Sequence, residues 1–168
     1  MLYELTIPTS IKALRNLSKF LEKSAGFADS KKVSMDVLLN SRLAVDQFPL
    51  TRQVQIACDT AKFGASRLTG MEAPVHEDNE KTLSELQSRI HSVISYLETF
   101  NKDHFKGAET RKVTTPRWDG KWLTGEEFAL HHILPNVYFH IATAYSILRH
   151  NGVDVGKKDY LGEMPFKT

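Results

Sequence analysis

One cysteine, Cys58, stands in a chain of 168 residues, so no intramolecular disulfide can staple the fold. Long apolar runs are also missing. No stretch approaches the 18 or so apolar residues that span a bilayer, and the N-terminus lacks the basic start and apolar run of a signal peptide. The expectation is a cytoplasmic protein with no membrane partner. Charge of one sign is scarce: the formal net charge is +2. The basic residues fall in pairs (Lys31-Lys32, Arg111-Lys112, Lys157-Lys158) rather than in a patch, which argues against a nucleic-acid partner. A glycine-rich phosphate loop and a serine-centred nucleophile elbow are absent as well, which sets aside two common catalytic frameworks.

What is present is ordinary globular composition, 41% apolar and 25% charged. At this length it predicts a single domain over residues 1–168. Such a domain buries roughly 70% of its unfolded surface.

Four segments carry helical periodicity. In the first, Ile11, Leu14, Leu17, Phe20 and Leu21 form one stripe after the candidate caps Thr9 and Ser10, and Gly26 is the expected stop. The second runs from Asp46 to Leu68 before Gly70, with Leu50, Val54, Cys58, Ala61, Ala65 and Leu68 facing the core. Pro49 is tolerable there if Asp46 is the cap, because first-turn N–H groups have no helical partner. The third starts after Thr82, with Glu85 completing a capping box, and Leu83, Leu86, Ile90, Val93, Leu97 and Phe100 make its apolar face. The fourth starts at Thr124, with Glu127 in the capping-box position, and runs to Asn151 before Gly152. Pro135 lies inside it and predicts a kink.

Between the third and fourth helices, Asp119-Gly120 separates two β-prone runs, which signals a short hairpin. Trp118 and Trp122 flank that turn and are expected to pack across the strands. The apolar run Val33 to Leu43 suggests a further short helix. Four core-striped helices imply a four-helix bundle, all-α, with a short β-hairpin between helices 3 and 4. Ile56 and Phe63 sit two turns apart, opposite the core stripe of the second helix. They would pack under residues 29–45 or form a subunit interface.

The richest stretch chemically is His131 to His140, which gathers three of the seven histidines with Asn136 and Tyr138. On a helical wheel of about 100° per residue, His140 falls within the apolar arc of Val137, Ile141, Ala144, Ile147 and Leu148. Asn136 lies at the edge of that arc, Tyr138 points away, and His132 depends on the kink at Pro135. The plainer alternative for His140 is a buried imidazole satisfied by a neighbour. For Asn136 it is a cap on the resumed helix.

A histidine metal site on this helix would want imidazoles at i and i+4, with a third ligand from a facing helix. Here Asn136 stands four residues before His140, and an amide oxygen is a weak ligand for zinc or nickel. The polar candidates on the second helix are Asp46, Gln53, Gln55 and Asp59, with no histidine among them. Gln53 and Gln55 flank the core stripe, and Asp59 is expected to point outward. His76, His91, His104 and His150 lack helpers and read as surface residues. Cys58, on the core stripe, reads as an inert thiol.

The segments Leu134-Pro135-Asn136-Val137-Tyr138-Phe139-His140, Thr143-Ala144-Tyr145, Leu148-Arg149, Gly152-Val153 and Gly156-Lys157 with Asp159-Tyr160 together resemble a bacterial family, the one catalogued as domain of unknown function 1993. Arg42-Leu43, Asp46, Phe48-Pro49-Leu50 and Gln53-Val54 are similar to its other block. That family resembles the DinB-like superfamily of helical bundles. Its members usually place one histidine on the second helix and an HxxxH pair on the last long helix, bind a divalent metal and often form homodimers. Some transfer small thiols. The resemblance carries over only His140, as the second histidine of the pair. Asn136 stands in place of the first, and Gln53 in place of the second-helix histidine.

Three functions follow as expectations. The first is a metal-free binding protein whose pocket, lined by Gln53, Asn136 and His140, holds a small polar ligand by hydrogen bonds. The second is a divalent-metal-dependent hydrolase or thiol transferase on a rearranged site of His140, His132 and Asp46, with zinc or nickel as the cofactor. The third is a homodimer without pocket chemistry, held by Ile56 and Phe63. The amide-for-imidazole exchanges favour them in that order.

Overall fold

The computed structural model describes residues 1–167. Its frame is α1 (Leu2–Lys31), α2 (Met35–Leu39), α3 (Leu50–Thr69) and α4 (Leu83–Glu98). These are followed by β1 (Lys112–Val113), β2 (Leu123–Thr124), α5 (Gly125–Phe128), α6 (Leu134–His150) and α7 (Lys157–Leu161). The four long helices form the expected bundle: α1 packs on α4 and α6, and α3 packs on the same two helices. The apolar stripes meet inside, where Leu14, Leu17, Phe20, Leu50, Val54, Leu86, Val93, Val137 and Ile147 are buried.

Helix α1 begins at Leu2, well before the expected Thr9-Ser10 cap, and passes through both Pro8 and Gly26. Thr6 and Thr9 do not cap; their hydroxyls donate back to the carbonyls of Leu2 and Leu5 within the helix. Burial of Leu2 and Ile7 holds the extra turns against the cost of Pro8. The far end closes at Lys32, whose left-handed backbone (φ 55°) returns its N–H to Ala28 and Asp29.

Helix α3 starts at Leu50 with Pro49 as its cap residue, so Asp46 is not the cap. Asp46 lies exposed in the 40–49 loop. The reason is local: a residue preceding proline is pushed out of the helical region, which bars Phe48 from extending the helix backwards. Gly70 (φ 82°) ends it. The short helix expected within residues 29–45 is α2, capped by Ser34.

The capping box at Thr82 and Glu85 starts α4 as the sequence predicts. A second box at Thr124 and Glu127 starts the last long helical stretch. Its path around Pro135 is not a simple kink. Residues Ala129–Ile133 widen into a π-helical turn, with the Leu134 N–H reaching back to the Ala129 carbonyl. A wide turn just before Pro135 accommodates both the missing donor and the ring that would press on the preceding turn.

The hairpin is present: β1 and β2 pair antiparallel, with Lys112 opposite Thr124 and Val113 opposite Leu123. Asp119 and Gly120 both have positive φ at its tip. A 3-10 turn, Pro116–Trp118, lengthens the connection. Trp118 and Trp122 do not pack on one another as expected. Trp118 meets Phe128 and His132 edge-on, and Trp122 lies under the Lys112 ammonium.

One glycine sets the spacing that matters for the site. At Gly64 a Cβ would fall 2.9 Å from the Ile133 side chain. The bare backbone there lets α3 approach the wide turn that leads into α6.

Candidate functional site

The antiparallel seam between α3 and α6 brings two of the three predicted pocket residues together. His140 Nδ1 lies 2.7 Å from Gln53 Oε1. The Gln53 amide nitrogen donates to the Phe48 carbonyl at 2.9 Å, which orients the amide so that its oxygen faces the imidazole. An amide oxygen only accepts, so Nδ1 of His140 carries the proton and Nε2 keeps its lone pair. Gln53 is buried and His140 is 8% exposed. Burial, with the Arg52 charge adding to it, lowers the His140 pKa to about 4. The imidazole is therefore neutral near pH 7, and its Nε2 makes no hydrogen bond among the described residues.

Asn136 bonds one turn back along its own helical stretch, not to Gln53 or His140. Its amide nitrogen donates to the His132 carbonyl at 2.7 Å and lies 3.3 Å from His132 Nδ1. The two amide hydrogens serve these two acceptors, so Nδ1 of His132 accepts and its Nε2 carries the proton. The His132 ring stacks on Phe128 (5.0 Å between centroids) and meets Trp118 edge-on (5.5 Å). Burial, then the Arg67 charge, pushes its pKa down. The two histidines thus carry opposite tautomers: His140 offers a bare nitrogen and His132 an N–H.

Sequence reasoning missed a charge cluster beside this seam, built on two buried cations with partly exposed carboxylates. Asp59 does not point outward. Its carboxylate receives Arg89 at 2.7 Å and Lys62 at 3.0 Å. Arg89 also meets Asp78 at 2.6 Å and Glu80 at 2.9 Å. Lys62 and Arg89 are almost fully buried. Burial alone would lower the Arg89 pKa, but Glu80, Asp59 and Asp78 outweigh it and raise it. His76, expected on the surface, receives the Lys62 ammonium at 2.9 Å and pairs with Ser92 at 3.2 Å. Burial, then the Lys62 and Arg89 charges, lowers its pKa. His104 has a helper too, accepting the Asn101 N–H. The available signal was Arg89, which follows Leu86 and precedes Ile90 on the apolar face of α4.

Cys58 is the inert thiol expected, fully buried and pushed up to about 12 by burial. The metal ligands implied by resemblance meet a poor donor set. Both polar ends of Gln53 and the nitrogen of Asn136 are already bonded. Only His140 Nε2 and the Asn136 oxygen remain, too few for the usual four-coordinate site. The alternative set of His140, His132 and Asp46 is not assembled: no three His, Cys, Asp or Glu side chains group to hold a metal ion among the described residues. The residues present do not fit a resident cation.

Comparison with known proteins completes the description. The family described as Domain of unknown function (DUF1993) matches residues 2–161. A crystal structure of a DinB family member protein from Shewanella denitrificans is similar at 61% identity and a TM-score of 0.97. The similarity covers 100% of this chain and 96% of that one. No curated protein matches. No helix is long and apolar enough to cross a membrane among the described residues.

Proposed function

The chain belongs to the DUF1993 family, and on that premise we propose that it is a metal-independent binding protein for a small polar ligand at the α3–α6 seam. The observation that carries this reading is the bond from His140 Nδ1 to Gln53 Oε1. It occupies the amide where a ligating imidazole would be needed and leaves one neutral nitrogen, His140 Nε2, as a hydrogen-bond acceptor for a ligand O–H or N–H.

Metal analysis of protein purified without an affinity tag, then soaked with zinc, nickel and manganese, tests the reading. The expected result is no stoichiometric uptake. Stoichiometric metal that disappears in His140→Ala would overturn it in favour of a metal-dependent hydrolase or thiol transferase. The proposal includes homodimeric assembly, as the resemblance implies, and a cytoplasmic setting, as the sequence suggests. Light scattering of the untagged protein tests the assembly, and a monomer at micromolar concentration would remove that part.

A further inference from the structure

Beside the Gln53–His140 pair, between α3 and the hairpin connection, lies a groove of about 370 Å³ lined by Ile56, Phe63 and Arg67 of α3, by Trp118 of the hairpin connection, and by His132 of the wide turn. Its size lies at the small end of the roughly 300–1,000 Å³ usual for ligand sites. Ile56 and Phe63, the two residues expected to pack under residues 29–45 or between subunits, line it.

The charges in the groove are of two kinds. Arg52 is bound to Asp78 and Gln55. Asp59 is matched by Lys62 and Arg89. Arg67 is different. Its guanidinium lies over the Phe63 ring, 5.3 Å from the centroid, and has no carboxylate or hydrogen-bond partner among the described residues. Partial burial lowers its pKa, with no acid group acting against that. Arg117, exposed at the rim, has no partner among the described residues either. A half-buried guanidinium without an anion is an unmet electrostatic demand. Beside it stands His132, whose Nδ1 is engaged by Asn136, leaving the N–H on Nε2 without an acceptor among the described residues. Phe128 and Trp118 clamp that ring, so its donor is held in one orientation.

We propose that this groove binds a small organic carboxylate, its carboxyl group held by the Arg67 guanidinium and the His132 N–H and its apolar body lying among Ile56, Phe63 and Trp118. A planar carboxylate matches the planar fork of an arginine. A neutral imidazole supplies a donor without a second charge, which favours a monoanion. The inference rests on the reading above in taking the protein to bind a small ligand, but it uses a neighbouring groove, a different imidazole and a cation which that reading does not need.

Titration calorimetry with benzoate, phenylacetate and indole-3-acetate, each against its primary amide, tests the inference. The acids are expected to bind at least about tenfold more tightly than the amides. Arg67→Gln removes the preference, Arg67→Lys keeps part of it, and His140→Gln leaves it intact. Several results would overturn the proposal: no acid binding at millimolar concentration, equal binding of acid and amide, a preference that survives Arg67→Gln, or tighter binding of phenyl phosphate than of benzoate. Amide binding at least as tight as acid binding, and lost in His140→Gln, places a ligand N–H at His140 Nε2 and overturns this inference while sparing the earlier reading. Stoichiometric metal at His140 beside an intact, Arg67-dependent preference does the reverse.

Discussion

His140 and Gln53 meet across the α3–α6 seam through one short hydrogen bond, Nδ1 to Oε1 at 2.7 Å. Its consequence is a proton location: the amide oxygen cannot donate, so the imidazole must. Burial holds that imidazole neutral, with its pKa lowered to about 4. His76 and His132 are shifted in the same direction, each mainly by burial.

The pH dependence of stability follows from these shifts. The His140 pKa is depressed in the folded protein, so the unfolded chain binds protons first as pH falls. The stabilisation is present above about 6.5 and is lost as pH falls from there towards about 4. Each such group contributes a slope of up to about 1.4 kcal/mol per pH unit. Urea melts from pH 7.5 to 4 should show the decline, and His140→Gln should make it shallower. An unchanged slope in that variant would place the titration elsewhere.

Installing imidazoles should recover the metal site that the donor set lacks. The double variant Gln53→His with Asn136→His places three histidines at the positions implied by the family resemblance. It is expected to take up stoichiometric zinc where the parent does not, because imidazole nitrogen replaces weak amide oxygen. Plasma emission analysis after dialysis reads the outcome. Failure to bind would show that the spacing of α3 and α6, rather than ligand identity, is the obstacle.

Arg89 is the group whose loss should cost most. Replacing it with Met leaves Asp59, Asp78 and Glu80 facing one another without their shared cation. The expected loss is about 3–5 kcal/mol, as for other broken buried pairs. Arg89→Lys should restore only part of it, since a single ammonium cannot span three carboxylates as a guanidinium fork does. Chemical denaturation of both variants measures the difference.

Gly64→Ala tests the close approach of α3 to the wide turn that leads into α6. The added methyl would press on Ile133, which is buried. A loss of about 1–3 kcal/mol is expected from overpacking. Ile133→Val in the same chain should recover part of it, and additive losses would mean that the two side chains do not collide.

Local rules read much of this fold because they act over a few residues. Both capping boxes, at Thr82–Glu85 and Thr124–Glu127, form as their spacing predicts. Gly70 and Gly152, both at positive φ, follow the ends of their helices. Where tertiary packing competes with a local rule, packing prevails. Leu2 and Ile7 draw α1 back through Pro8, and the wide turn at Ala129–Ile133 absorbs Pro135 without ending the helix.

The sequence by itself determined the bundle, the single inward histidine of the last helix and the inert thiol, since periodicity and spacing are properties of one helix at a time. Only the tertiary structure decided what each polar group faces. The wheel placed Asn136 beside His140, but the fold gives it to His132. The wheel turned Asp59 outward, but the fold returns residues 78–80 over α3 and α4 and joins it, through Arg89, to Asp78 and Glu80. Hydrogen-bond partners are set by which helices adjoin and how closely. That depends on contacts such as Gly64 against Ile133, 69 positions apart in the chain.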